Sequence, residues 1–258
     1  MRNLFFIICF FLYIFSVYSQ SKPIVFNSTV KYDSVKDKEG NCYKTVRIGN
    51  QIWMAENLRS FYDRNGNIIN ESWVYFAPPK NMSTNQESEN LPYNPDEESA
   101  FQGEEEKPPF YLTPEFYNTY GLLYNYDEAL SDAGVCPIGW HIPSMQEWNV
   151  LIEYLGGADI AMVKLKETGT LHWKTWSDAT NSSGFTALPS SSTMDVIVNS
   201  ENSYNYVGTS TYWWASDSGL NSEEFGDSNL AKAIRLNNLK NQSYVKKDLK
   251  FSIRCIKN

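Results

Sequence analysis

The order of helix and strand patterns in this 258-residue chain predicts an α+β domain with a mostly antiparallel sheet. A strand-like alternation comes first, helical periods occupy the middle, and short strand-like runs close the chain. Long polar loops separate these segments, whereas a parallel α/β fold would alternate strands and helices regularly. We therefore expect two or three short helices beside an antiparallel sheet.

The first 19 residues have the features of a secretory signal peptide. Arg2 precedes an unbroken apolar run, Leu4–Phe15, and small residues occupy the positions before the predicted cleavage point. The run is shorter than the roughly 20 residues that span a bilayer. Cys9 lies inside it rather than at its end, so no lipoprotein is predicted. We expect a secreted or cell-surface protein.

The composition supports a folded core and excludes two classes of partner. Hydrophobic residues make up 42% of the chain and charged residues 20%, which is enough apolar material for a packed domain. The formal net charge of −8 repels phosphate backbones and anionic lipids. We expect no nucleic-acid partner and no membrane insertion, and we expect an extracellular glycan or protein as the ligand.

The first half of the mature chain contains one β-hairpin and one long insertion. Residues 20–36 are polar without a clear period, which predicts an N-terminal tether or an edge segment before a domain spanning 37–258. The alternation in CYKTVRI, the turn residues GN and the apolar QIWM together predict a hairpin. Residues 77–115 are acidic and rich in proline, which predicts a surface loop, partly disordered.

Helices are predicted in the middle of the chain. The segment 117–137 reads as a strand followed by a short helix that ends near Gly134. Ser144 and Glu147 have the spacing of a capping box. An amphipathic helix follows, whose apolar face consists of Trp148, Leu151, Ile152 and Leu155. Gly156 and Gly157 supply its C-terminal stop. A second helix is predicted over Ile160–Lys166.

The last third of the chain predicts turns and then three short strands. The segment 172–192 is rich in turn residues. The strand-like runs are STYWWAS, AKAIRLNN and LKFSIRCIKN, each with alternating or β-branched apolar residues. These runs complete the strands-helices-strands order on which the fold class rests.

Seven ordered blocks resemble the Fibrobacter succinogenes major paralogous domain family. They are DKEGNCYKTVRIGNQIWMAENL, YGLLYNYDEAL, CPIGWHIPSMQEWNVLIEYLGG, LKETGTLHW, TNSSGFTALP, YWWASD and FSIRCIKN. The resemblance implies a secreted or surface bacterial protein of uncharacterised function with a C-type-lectin-like fold. The chain departs from the family at LPSSSTMD, where a glycine-rich continuation is expected, and in its acidic insertion.

Removal of the signal peptide leaves three cysteines, Cys42, Cys136 and Cys255. Outside the cytoplasm, two of the three are expected to pair. Cys136 and Cys255 lie in apolar contexts and Cys42 in a turn-like one, which favours a bond between Cys136 and Cys255. The resemblance supports the same pairing, because both residues fall in matched blocks.

Catalytic and metal sites are weakly indicated. Cys136 and His141 are close enough in sequence to consider a thiolate and its base, but the prolines and glycine around them predict a stiff turn into a capped helix. His141 and His172 are the only histidines and no cysteine pair has zinc-ligand spacing, so zinc is not expected. Ser182 and Ser183 lack one glycine of a nucleophile elbow.

The segment Tyr212–Ser218 carries the candidate ligand contacts. In a strand, Trp213 and Trp214 point to opposite faces, so one indole is expected in the core and the other exposed or covered by a loop. An exposed indole beside Asp217 would stack on a sugar while the carboxylate accepts hydrogen bonds from its hydroxyls. Packing of both indoles is the competing expectation. Calcium at Asp217 with the acidic residues of 223–227 is a further hypothesis.

These patterns favour a secreted, non-enzymatic binding or adhesion module for a glycan or a protein. We expect no catalytic residues and no cofactor. The alternatives are an enzyme related to formylglycine-generating oxidases or acting on polysaccharides, and a structural envelope protein. The enzyme requires a reactive cysteine pair or a cleft with shifted carboxylate pKa values.

Overall fold

The computed structural model describes residues 23–69, 114–174, 178–190, 208–218, 229–240 and 243–258. The predicted signal peptide, the acidic insertion up to residue 113 and the acidic residues of 223–227 lie outside these ranges. Within them the chain combines short helices with antiparallel strands, so the predicted α+β class is confirmed.

The described strands are β1 (Asp33–Lys36), β2 (Cys42–Ile48), β3 (Gln51–Met54), β4 (Trp140–His141), β5 (Tyr212–Ser218), β6 (Leu230–Arg235), β7 (Ser243–Lys246) and β8 (Ile256–Lys257). The described helices are α1 (Pro114–Tyr120), α2 (Tyr126–Ala129), α3 (Met145–Tyr154) and α4 (Ala158–Leu165), and a 3-10 turn covers Leu236–Asn238. Within this part of the chain, no helix is long and apolar enough to cross a membrane.

The larger sheet has five antiparallel strands in the order β1-β2-β3-β8-β4. Strands β2 and β3 form the predicted hairpin, with Ile48 opposite Gln51 across the turn. Gly49 in that turn has a φ of +59°, a left-handed conformation that glycine adopts without strain. The segment assigned to a tether or edge contributes β1, which is the outermost strand.

The smaller sheet has three strands in the order β5-β6-β7. Ser252 joins it to the C-terminal segment, because its carbonyl accepts from the Trp214 amide and its amide donates to the Tyr212 carbonyl. The run LKFSIRCIKN therefore crosses between the sheets, and only Ile256–Lys257 is a named strand. Strand β7 was not predicted.

Two groups of buried side chains cover opposite faces of the larger sheet. On one face, Val46 and Trp53 pack with Trp148 and Leu151 of α3. On the other face, Tyr43 packs with residues of α2 and with the C-terminal segment. Both faces of the sheet are thus occupied, which is why strand positions on either face are buried.

The middle of the chain differs from the prediction in one place. Tyr117–Tyr120 belongs to α1 rather than to a strand, and Tyr124 makes only a single bridge to Phe251. Gly121 ends the helix with a φ of +79°, and a Cβ there would lie 2.6 Å from Cβ of Asn57. Helix α2 ends at Ala129, earlier than expected. The predictions of α3 and α4 are confirmed within two residues.

Candidate functional site

The segment that opens α3 is fastened to the C-terminus by a disulfide bond. Cys136 and Cys255 are joined, with their Cα atoms 5.9 Å apart and a sequence separation of 119. Both residues are buried in the same apolar group. The Cys136 sulfur is therefore not a thiolate, and the structural interpretation of this motif holds. Cys42 is a free, exposed cysteine at the start of β2.

His141 reinforces the same junction instead of acting on a cysteine. Its Nε2 lies 2.9 Å from Glu147 Oε1, and its Nδ1 lies 2.7 Å from the Asn258 side-chain oxygen. The predicted capping box is present, because Ser144 Oγ accepts from the Glu147 amide and Glu147 Oε2 accepts from the Ser144 amide. Burial raises the pKa of Glu147, but the hydrogen bonds from Ser144 and His141 outweigh it and lower the pKa.

Trp213 and Trp214 point to opposite faces of β5, as predicted, yet neither is exposed. Both are 0% exposed, so stacking of an indole on a ligand is excluded in this structure. Trp213 packs on Trp148, with ring centres 5.5 Å apart, and donates to Asn57 Oδ1. Trp214 packs on Phe251 at 4.5 Å and donates to a backbone carbonyl. Core elements cover both faces of the strand, so the structure fits the competing expectation that both indoles pack in the core.

Asp217 serves α3 rather than a ligand beside the indoles. Its Oδ2 accepts a 2.6 Å hydrogen bond from the backbone amide of Met145, the first residue of the helix. A carboxylate at this end of a helix is favoured by the unpaired amides and by the helix dipole. The YWWASD block therefore packs the core with two indoles and caps a helix with its aspartate.

A buried polar group lies at the centre of the molecule. Arg254 is 1% exposed, and it donates to Asn57 Oδ1 and to the carbonyls of Met54 and Phe185. Burial lowers the pKa of Arg254 to about 9, which still leaves the guanidinium charged at neutral pH. Arg254 therefore ties the C-terminal segment to the segments that carry Asn57 and Phe185.

Glu167 and His172 form a second buried pair. Glu167 Oε2 lies 2.6 Å from His172 Nδ1, and Glu167 Oε1 accepts from the backbone amide of Val25. Burial, with a contribution from the Glu167 charge, raises the pKa of Tyr120 beside them to about 12. The pair thus fixes the N-terminal segment against the loop after α4. The described residues contain no cluster of three or more metal-type ligands.

An open cleft lies where the β2–β3 turn meets the ends of α3 and α4. Its volume is about 360 Å³, within the range of small-ligand sites. We call it the Tyr154 cleft, and it is lined by Val30, Arg47, Ile48, Gly49, Tyr154, Leu155, Lys164, Ser182 and Ser183. It presents charged and aromatic side chains together to solvent.

Tyr154 is the aromatic surface of the cleft. Its side chain is 64% exposed, although it is the last residue of a helix that buries Trp148 and Leu151. The ring lies against Gly49, where an added Cβ would meet Tyr154 Cδ2 at 2.9 Å. The turn glycine therefore lets the ring lie down on the hairpin while much of the ring stays open to solvent.

Two cations line the cleft without a carboxylate partner among the described residues. Arg47 projects from β2 and is exposed, and it makes no side-chain hydrogen bond or ion pair within the described ranges. Lys164 donates one hydrogen bond, 2.8 Å long, to the Leu155 carbonyl at the end of α3. An ammonium has three donors, so this bond positions Lys164 and leaves two donors for a ligand.

The remaining wall combines the N-terminal segment with a serine-rich turn. Val30 is held there because Asn27 Nδ2 donates to the Asn181 carbonyl. Ser183 Oγ is used internally, since it donates to the Lys164 carbonyl. Ser182 is exposed, and its described side-chain contact is with Thr180. The two serines considered as nucleophiles thus lie in the cleft, and the described contacts bring neither histidine to them.

Sequence reasoning missed Tyr154, Arg47 and Lys164. One signal was available for Tyr154: it is a large aromatic residue outside the apolar stripe of an otherwise regular amphipathic helix. Arg47 reads as an ordinary outward residue of an alternating strand. No local pattern links either residue to Lys164, because the cleft forms only when the hairpin and the two helices pack.

The fold and cleft define an α+β domain with a disulfide-fastened C-terminus and a cationic, aromatic surface depression. The family model for the Fibrobacter succinogenes major domain matches residues 46–257, so the chain belongs to that family. The match starts within β2, and β1 and the segment that carries Val30 precede it. No curated protein and no solved structure matches the chain, so the C-type-lectin-like layout stays a prediction.

Proposed function

We propose that the protein is an exported, non-enzymatic binding or adhesion module that contacts a glycan or a protein through the Tyr154 cleft. The observation that carries the proposal is the combination of an exposed aromatic ring with cations that have no carboxylate partner in the described structure. Polar and aromatic groups that converge in a concave site favour ligand binding. The disulfide supports export, because such bonds persist in oxidising compartments.

Glycan arrays and pull-downs from bacterial surface extracts test this proposal directly. We expect binding in at least one format by the mature protein, and loss of that binding in Tyr154→Ala. Tyr244→Ala is the matched control, because Tyr244 is a partly exposed tyrosine on β7 in the other sheet. Silence in both formats, or equal effects of the two substitutions, would contradict the proposal.

A thiol titration separates this proposal from an enzyme with redox-active cysteines. The binding module predicts one reactive thiol in the native mature protein, at Cys42. Three reactive thiols would favour the enzyme, which needs a reactive cysteine pair. The burial of Cys136 and Cys255 in the apolar core supports the first result.

A further inference from the structure

The charges of the Tyr154 cleft are opposite to those of the whole chain. The protein has a formal net charge of −8, yet the charged residues that line the cleft are Arg47 and Lys164. The described structure contains ion pairs elsewhere, for example between Lys240 and Asp159, whereas neither cleft cation has one. A cationic site attracts an anionic group locally, even though the chain as a whole carries a negative net charge.

The two cations are suited to different parts of one ligand. A guanidinium is a planar fork that pairs with a carboxylate through two parallel hydrogen bonds. The Arg47 guanidinium is free of described partners, so a carboxylate would displace only water. Lys164 is anchored on Leu155 and supplies a fixed charge with two donors for hydroxyl or carboxylate oxygens.

Tyr154 distinguishes a sugar from a peptide. The ring is supported by Gly49 on one side and is 64% exposed, which presents an aromatic surface beside the cations. The C–H face of a pyranose packs on such a ring, and its hydroxyls would face polar groups such as Ser182. An acidic peptide would satisfy the cations but would leave this surface without a matching flat group.

Building on the proposed function, we infer that the Tyr154 cleft recognises acidic saccharides, with Arg47 pairing a uronate carboxylate and Tyr154 packing on the sugar ring. The inference commits to one ligand chemistry, a pyranose that carries a carboxylate. It places recognition at the ends of α3 and α4, not at the tryptophans of β5.

Calorimetry with matched trisaccharides tests the inference. The probes are galacturonate trisaccharide, its methyl ester, neutral galactotriose and a glutamate hexapeptide, each at low and high salt. We expect the acid to bind about tenfold more tightly than its ester, the scale of a charge-assisted contact. Raising the salt concentration should reduce this preference, because ions screen exposed charges.

Variants locate the contact. Arg47→Gln should weaken binding of the acid about tenfold and leave the ester unchanged, so the preference disappears. Tyr154→Ala should weaken every saccharide. Lys246→Gln is the matched control, because Lys246 is an exposed cation on β7 outside the cleft. Unchanged thermal midpoints of the variants would show that the fold is intact.

The other outcomes separate this inference from the proposed function. Equal binding of acid, ester and neutral probes, lost in Tyr154→Ala, would overturn the preference for acids and leave a binding module. Binding of the hexapeptide alone, lost in Arg47→Gln, would overturn the saccharide in favour of an acidic protein. Silence of all probes together with silent arrays and pull-downs would overturn both.

Discussion

Removing the disulfide should cost about a third or more of a typical domain's stability. The double variant Cys136→Ala/Cys255→Ala opens a link between residues 119 apart. Closing a loop of that length in the unfolded chain corresponds to about 4.9 kcal/mol at 25 °C on the chain-entropy relation. Domains are stable by about 5–15 kcal/mol, so the loss is large enough to measure easily and to unfold a marginal protein.

Urea denaturation followed by tryptophan fluorescence measures this loss. Trp148 and Trp213 are buried together, so their emission reports on the core. We expect the unfolding free energy to fall by about 5 kcal/mol and the thermal midpoint by about 10–20 °C. Cys42→Ala is the control, and its exposed, unpaired side chain should change stability by less than about 0.5 kcal/mol.

Two results would refute the reasoning. One is a double variant whose unfolding free energy lies within about 1 kcal/mol of the wild type at an unchanged denaturant slope. The other is an unreduced digest in which Cys136 is joined to Cys42, or to no cysteine. Either result would mean that the C-terminal segment is held mainly by its hydrogen bonds, such as the pairing of Trp140 with Lys257 across β4 and β8.

Three further changes probe the elements around the site. Asp217→Ala should lower stability by about 1 kcal/mol, because it removes the acceptor for the Met145 amide; Asp217→Asn keeps an acceptor, and an equal loss in urea melts would contradict this cause. Gly49→Ala should lower the unfolding free energy by about 1–2 kcal/mol, because φ is +59° and the new Cβ would meet the Tyr154 ring at 2.9 Å. This loss should be smaller in a Tyr154→Ala background, and an equal loss there would contradict the clash with the ring. Glu147 has a lowered pKa, since hydrogen bonds outweigh its burial, so its contribution to stability is full above the unfolded pKa and is lost as the pH falls through the folded pKa. The thermal midpoint should therefore fall more steeply between about pH 5 and pH 3 in the wild type than in Glu147→Gln. Equal pH dependence of the two midpoints would contradict this prediction.

Short-range patterns predicted the elements that depend on neighbours in sequence. The capping box at Ser144 and Glu147 is correct because both partners lie within one helical turn. The β2–β3 hairpin is correct because its turn and its alternation are local as well. The strand prediction for residues 117–120 is wrong. Tyr117 and Tyr120 are three residues apart, a spacing that fits one face of a helix, and the end of α1 depends on the close approach of Asn57 to Gly121.

The candidate site was less predictable than the fold. The two-residue period of a strand places Trp213 and Trp214 on opposite faces, and the structure confirms this geometry. Period alone does not say what lies against each face. Helix α3 covers one indole and the C-terminal segment covers the other, so a pair of aromatic residues that resembles a ligand platform is part of the core.

The sequence by itself determined the α+β class, the capped helix, the hairpin and the family, because each rests on contiguous patterns. The tertiary structure alone decided which groups reach solvent together. Arg47, Tyr154 and Lys164 come from a strand and two helices, and the cleft exists only where these elements meet. Proximity between residues distant in the chain follows from packing, which no local periodicity encodes.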